Sequence, residues 1–123
     1  MLPFARITII GLGLIGSSLA RAIRAEMPTV RVTGHDADPA VRDIARRIDL
    51  CDDVTDTAGA SVTDADLVVL CVPVRAMGAA AADIADDLPA DAIISDVGSC
   101  KADVLAHLNA ALPGRTIIPA HPV

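Results

Sequence analysis

The sequence predicts an α/β fold, a doubly wound parallel sheet of about six strands in the order 3-2-1-4-5-6. Three observations carry that expectation. Short segments rich in Val and Ile recur along the chain and alternate with segments of helical periodicity, the pattern of a parallel sheet with helical crossovers. Leu67 to Val72 is a continuous apolar run ended by Pro73, as a strand buried on both faces requires. The first apolar segment runs directly into Gly11, Gly13 and Gly16, at the spacing G-x-G-x-x-G.

Taken in order, Met1 to Ala5 is a lead-in and Arg6 to Ile10 the first strand, with Ile7, Ile9 and Ile10 β-branched. The first helix covers Leu14 to Ala25, and Ile15, Leu19, Ile23 and Met27, each four apart, are expected on its inner face. Strand two is Val30 to His35. Asp38-Pro39 reads as an N-cap followed by proline at the first helical position. The helix it opens runs to about Ile48, with Val41, Ile44, Ala45 and Ile48 expected inside. Val54-Thr55 is a short third strand and Ala58 to Val62 a short helix. Strand four, Leu67 to Val72, precedes an alanine-rich helix over Arg75 to Asp87. Ala92 to Ser95 is strand five, with Asp96 to Ser99 as its exit loop. Lys101 to Ala111 is a helix, Pro113-Gly114 a turn, and Thr116 to Ile118 strand six. No repeat, linker or low-complexity segment interrupts the pattern, so 1–123 reads as one domain.

The glycines narrow the fold to the Rossmann type. Gly11 allows a tight turn off the strand, Gly13 leaves room for a pyrophosphate at the backbone, and Gly16 lets the helix lie close to the strand. The anion then meets the free N–H groups and positive dipole end of the helix, at Leu14 and Ile15. Asp36 ends strand two, twenty residues after Gly16, where it is placed to accept hydrogen bonds from the hydroxyls of an adenosine ribose. No Arg or Lys adjoins Asp36 in sequence, so a ribose 2′-phosphate would meet like charge, and the reading favours NAD over NADP. The alternative is a plain structural turn between a strand and a helix.

Composition excludes other classes. The chain is 53% hydrophobic, so disorder is not expected. Its net charge of −6 and single aromatic residue, Phe4, argue against nucleic acid and anionic membrane partners. That acidity would also repel a dinucleotide, so local N–H groups must supply the attraction. Cys51, Cys71 and Cys100 form neither a C-x-x-C pair nor a metal-ligand cluster. They read as small buried residues in a reducing compartment. With no leader and no apolar run of about eighteen residues, a cytoplasmic protein without a metal is expected.

In this fold, sites gather at the carboxyl ends of strands, the ligand lying over strands one and four. Cys71, Val72 and Pro73 follow strand four and are placed to wall the cofactor cleft. Ser99 either caps the following helix or donates to a substrate. Lys101, the lone lysine, is a surface charge or an offset to the acidic field. His35 flanks the adenine side and His107 lies on a helix surface. His121, held extended by Pro122, is either a proton acceptor or a loop residue.

The segments Gly-Leu-Gly-Leu-Ile-Gly-Ser-Ser-Leu-Ala (11–20), Gly-His-Asp (34–36), Ala-Asp-Leu-Val-Val-Leu-Cys-Val-Pro-Val (65–74), Asp-Val-Gly-Ser-Cys-Lys (96–101) and Pro-Ala-His-Pro (119–122) together resemble the prephenate and arogenate dehydrogenases. The resemblance covers essentially the whole chain and that family's N-terminal, cofactor-binding domain. It implies NAD as cofactor and prephenate or arogenate as substrate, oxidatively decarboxylated in tyrosine biosynthesis. It assigns His121 the proton of the substrate's ring hydroxyl and Ser99 a hydrogen bond beside it, while hydride passes to the nicotinamide. The family's second, helical domain, which carries substrate-binding arginine and most dimer contacts, is not expected within these residues. A homodimer is therefore expected only where that domain is present, and 1–123 alone is expected to be inactive. Two departures stand out: Val123 where the family usually has Met, and Cys100 where valine is common. Competing readings are a β-hydroxyacid dehydrogenase or imine reductase, which would not call for His-Pro after strand six, and a nucleotide-binding module without turnover.

Overall fold

The structure, a computed structural model, describes residues 4–97 and 112–117. Six parallel strands form one sheet in the order β3-β2-β1-β4-β5-β6. They are β1 (Arg6–Ile10), β2 (Arg31–His35), β3 (Asp53–Val54), β4 (Leu67–Leu70), β5 (Ile93–Asp96) and β6 (Thr116–Ile117). The helices are α1 (Leu14–Glu26), α2 (Pro39–Arg47), α3 (Ala58–Val62) and α4 (Met77–Ile84), the last preceded by a 3-10 turn at Val74–Ala76. The helix expected over Lys101 to Ala111 lies outside the described residues.

The strands are apolar because both faces are covered. Ile9, Val32, Val68, Leu70 and Ile94 are buried completely, each contributing about 1.5–3 kcal/mol relative to exposure. One apolar layer joins Ile7, Ile9, Val32 and Val69 to Ala20 and Ile23 of α1 and Ala45 of α2. The other joins Ile10, Val68, Leu70 and Ile94 to Val62 of α3 and Met77, Ala81 and Ile84 of α4. Strand register then sets the site. His35 pairs with Ile10, Ile10 with Leu70, and Leu70 with Asp96. The loops beginning at Asp36, Gly11, Cys71 and Val97 therefore leave the sheet at one level.

The helices depart from expectation in two places. In α1 the buried positions are Gly16, Ala20 and Ile23, with Leu19 and Met27 half-buried, while Ile15 is 58% exposed. Ile15 instead faces a cleft lined by Cys71 to Val74 and Val97, which follow the ends of β4 and β5. In α2 only Ala45 is buried and Val41 is half-buried; Ile44 and Ile48 are 52% and 50% exposed. This helix lies over the edge strand β3, only two residues long, and Arg42 and Arg46 reach across that edge instead. Asp38 does cap α2, its carboxylate accepting from the Ala40 amide at 2.9 Å, with Pro39 at the first helical position.

Smaller differences fall at element ends. β4 stops at Leu70, two residues short of the end of the apolar run, although the Cys71 amide still donates to the Ile10 carbonyl. The helix expected from Arg75 begins as the 3-10 turn and becomes α-helical at Met77.

Candidate functional site

The turn after β1 is pinned on both sides. The Gly11 amide donates to the His35 carbonyl at 2.8 Å, and the Cys71 amide donates to the Ile10 carbonyl at 2.7 Å. Gly11 has φ +98°, and a Cβ there would stand 2.6 Å from the Cys71 carbonyl oxygen. Only glycine fits both the conformation and the space. Gly16 is buried, and a Cβ on it would overlap the Gly11 carbonyl oxygen. Gly13 is different: a Cβ there meets nothing within 4 Å. Two of the three glycines are thus required by the protein's own backbone, and the third faces open space.

That open space lies at the N-terminus of α1. Gly13 occupies the cap position, no side chain caps the helix, and its first turn holds no acidic residue. The contrast within the molecule is informative. Asp38 caps α2 and Thr57 caps α3 through side-chain oxygens. At α1 the amides face the cleft with the positive end of the helix dipole, as binding of an anionic group requires. Ser17 steadies the turn, its hydroxyl donating to the Leu12 carbonyl at 2.9 Å.

Asp36 stands across from this turn. Its Oδ2 accepts from the Leu12 amide at 2.8 Å and its Oδ1 from the Asp38 amide at 2.9 Å. The carboxylate is therefore oriented by backbone at both oxygens, and each oxygen retains a lone pair. A cleft of about 400 Å³ brings together Gly11, Gly13, Asp36, Cys71, Val72 and Pro73. An adjoining one of about 520 Å³ shares Gly13, Cys71, Val72 and Pro73 and adds Leu14, Ile15 and Val97. Of the expected cofactor residues, only Gly16 lines neither; it stands behind the turn and lets the backbone pack. Leu14, 86% exposed, and Ile15 give the second cleft an apolar wall. The donor set thus fits a dinucleotide: free amides for a pyrophosphate, a fixed carboxylate for ribose hydroxyls, and apolar walls for the rings.

His35 is buried, and its Nδ1 lies 2.9 Å from the Thr55 carbonyl oxygen. It lines the cleft beside Asp36. Burial pushes both the Cys51 and the Cys71 thiols up to about 11, so both are protonated near neutral pH and act as small apolar groups. Ser99, Lys101 and His121, with Cys100 and His107, lie outside the described residues.

Sequence reasoning missed Arg42. No cation adjoins Asp36 along the chain, but α2 brings one to it in space. Arg42 Nη1 donates to the Asp36 carbonyl at 2.9 Å and to that of Ala37 at 3.3 Å. Its Nε lies 3.4 Å from Asp56 Oδ1. Arg46 meets the same carboxylate oxygen through Nη2 at 2.8 Å, and it holds the Asp56 carboxyl below the usual carboxylate range. The available signal was spacing: Arg42 and Arg46 are one turn apart in a helix whose first residues adjoin the acid.

Among the described residues no helix is long and apolar enough to cross a membrane, and no group of His, Cys, Asp and Glu could hold a metal ion.

Comparison with known proteins agrees with this geometry. Residues 19–123 match the family model described as prephenate dehydrogenase, nucleotide-binding domain. The cyclohexadienyl dehydrogenase of Zymomonas mobilis is 52% identical over 123 residues, all of this chain and 42% of that protein. The crystal structure of prephenate dehydrogenase from A. aeolicus in complex with hydroxyphenyl propionate and NAD+ superposes with a TM-score of 0.86. The two are 29% identical, and the match covers 99% of this chain and 43% of that one. Synechocystis arogenate dehydrogenase superposes with a TM-score of 0.83 at 26% identity, over 95% of this chain and 40% of that one. The chain thus spans about two-fifths of the length of these proteins.

Proposed function

The chain belongs to the prephenate dehydrogenase family, as its nucleotide-binding domain, and from that premise we propose that it binds NAD for the oxidative decarboxylation of prephenate or arogenate. The product is 4-hydroxyphenylpyruvate or tyrosine, and the setting is tyrosine biosynthesis. One observation carries the cofactor reading: the uncapped N-terminus of α1 and the fixed carboxylate of Asp36 border the same cleft.

The amides at the start of α1, from Gly13 to Ile15, hold the pyrophosphate, and the free space at Gly13 lets it reach the backbone. Asp36 accepts from the ribose hydroxyls. Cys71, Val72, Pro73, Leu14 and Ile15 exclude water from the nicotinamide side, where removal of water strengthens electrostatic interactions. When bound, NAD supplies the hydride acceptor, which no side chain here can replace.

The remaining roles follow the family resemblance. We assign to His121 the proton of the substrate's ring hydroxyl. Hydride loss builds positive charge on the hydroxyl-bearing carbon and its oxygen, and a neutral imidazole accepting that proton stabilises it. Ser99 donates a hydrogen bond beside the histidine. Loss of the ring carboxylate as carbon dioxide then aromatises the ring. Arginine for the substrate's carboxylates, and homodimer contacts, are assigned to the part of the relatives' length that this chain does not span. The cytoplasm is the proposed location, since the cysteines form no disulfide framework in the sequence.

A chimera tests this reading: residues 1–123 replace the matching stretch of the Zymomonas enzyme. The chimera is expected to turn over prephenate or arogenate with NAD, and residues 1–123 alone to give negligible turnover. A folded chimera inactive on both substrates, or robust turnover by 1–123 alone, would contradict it.

A further inference from the structure

Arg42 is a cation bound to the main-chain carbonyl of the acid proposed to read the ribose, and it faces a second acid, Asp56, from a different loop. Its Nη1 is held by the carbonyls of Asp36 and Ala37, while Nε, which makes no hydrogen bond among the described residues, faces Asp56 Oδ1 at 3.4 Å as a charge pair. Its side chain is only 15% exposed. A cleft of about 620 Å³ containing Arg42 and Asp56 shares His35, Ala37, Ala58 and Asp83 with the cleft containing Asp36. Arg42 therefore stands on the far side of Ala37 from the proposed ribose site, at its border.

In dinucleotide-binding folds, an arginine near the end of the second strand accommodates the 2′-phosphate of NADP. Arg42 is in that neighbourhood, yet it already faces Asp56, a carboxylate it shares with Arg46. Asp56 is itself ionised and fixed by Arg46, whose Nη2 also donates to the Val54 carbonyl at 2.8 Å. Guanidinium pairs tightly with phosphate only when its donors are free to turn toward it.

We propose that the choice between NAD and NADP is set by two carboxylates rather than one: Asp36 repels a 2′-phosphate, and Asp56 occupies the arginine, Arg42, that would otherwise attract it. This inference rests on the dinucleotide reading above and adds a positioning residue to it. Asp56 acts through Arg42 and touches no cofactor. Arg42 in turn is a latent phosphate-binding group, present in the fold and withheld from the site.

The test is calorimetric titration of NAD and NADP into the 123-residue chain and four variants, each checked for folding by circular dichroism. Asp36→Ser alone narrows the preference for NAD. Adding Asp56→Asn, which keeps the shape of the side chain and removes its charge, raises NADP affinity by about a further tenfold while leaving NAD affinity within about twofold. Adding Arg42→Gln to that double variant removes the gain. Asp56→Asn by itself strengthens NADP binding by about threefold. If Asp56→Asn changes neither background, or if Arg42→Gln weakens NAD and NADP equally, Arg42 is a loop brace and the inference is overturned. If neither dinucleotide binds even the unsubstituted chain, the dinucleotide reading falls, and this inference with it.

Discussion

The Leu12 amide donates to Asp36 Oδ2 at 2.8 Å, tying the glycine turn after β1 to the acid at the end of β2. The bond joins groups with different proposed duties, the backbone that holds the pyrophosphate and the carboxylate that reads the ribose. Asp36 therefore supports structure as well as its proposed role in recognition, and two substitutions separate those roles. Asp36→Ala leaves the Leu12 and Asp38 amides without their side-chain acceptor and is expected to cost about 1–3 kcal/mol of stability. Asp36→Asn keeps one acceptor oxygen and is expected to cost less than half as much. Both variants should weaken NAD binding by at least about tenfold, because hydrogen bonds to a charged group are the stronger kind. Urea denaturation and calorimetry measure the two effects; unchanged NAD affinity in the alanine variant would remove Asp36 from the site.

Gly16 gives a prediction about packing. A Cβ at this position overlaps the Gly11 carbonyl oxygen, which is backbone and has no rotamer to move. Gly16→Ala is expected to destabilise the domain by about 3 kcal/mol or to prevent folding, at the upper end of overpacking costs. A melting temperature within two degrees of the unsubstituted chain would mean that α1 does not lie where the structure places it.

Cysteine burial sets an alkaline limit. Both Cys51 and Cys71 are raised from 9.0 to about 11 by burial. An acid with a raised folded pKa contributes stability that is complete below its unfolded value and declines as pH rises toward the folded one. The urea midpoint should therefore fall between about pH 9 and 11, and Cys51→Ala should make that decline shallower. A midpoint independent of pH across this window would show that the thiols are not buried as described.

His121 carries the catalytic proposal. In the chimera, His121→Asn preserves size and some hydrogen bonding but removes the base. It should lower kcat by about a hundredfold or more, leave NAD binding nearly unchanged, and abolish the loss of activity on the acid side. Near-normal kcat with the same pH profile would make it a loop residue.

What was legible in the sequence was what local chemistry dictates. Gly11 and Gly16 are required by contacts within a few residues or with the neighbouring strand, and the capping by Asp38 is local. The strand order follows from alternation and from the glycine turn at the first crossover. Ile15, Ile44 and Ile48 were misplaced because periodicity identifies a helix face but not whether a sheet lies beneath it. Ile15 faces the cleft lined by residues that follow β4 and β5, and α2 covers an edge strand of two residues. Arg42 was missed because its partner Asp56 is fourteen residues away on another loop, and its contact with Asp36 depends on how α2 is set. Sequence adjacency showed an acid with no cation beside it; the fold supplies the cation.

Gly13 tests the central claim most directly, because it is the one glycine of the turn that the protein itself does not need. Its backbone is extended, at φ −74° and ψ −157°, outside the left-handed region that requires glycine, and a Cβ there meets nothing within 4 Å. Gly13→Ala should leave stability unchanged or raise it by about 0.4–1 kcal/mol, since alanine has less freedom to lose on folding. The added methyl group nonetheless stands where the pyrophosphate is proposed to approach the backbone. Calorimetric titration of NAD into the folded variant should therefore show affinity reduced at least about tenfold, with stability intact. Affinity equal to that of the unsubstituted chain would mean that the turn is only a turn, and that the dinucleotide lies elsewhere or does not bind.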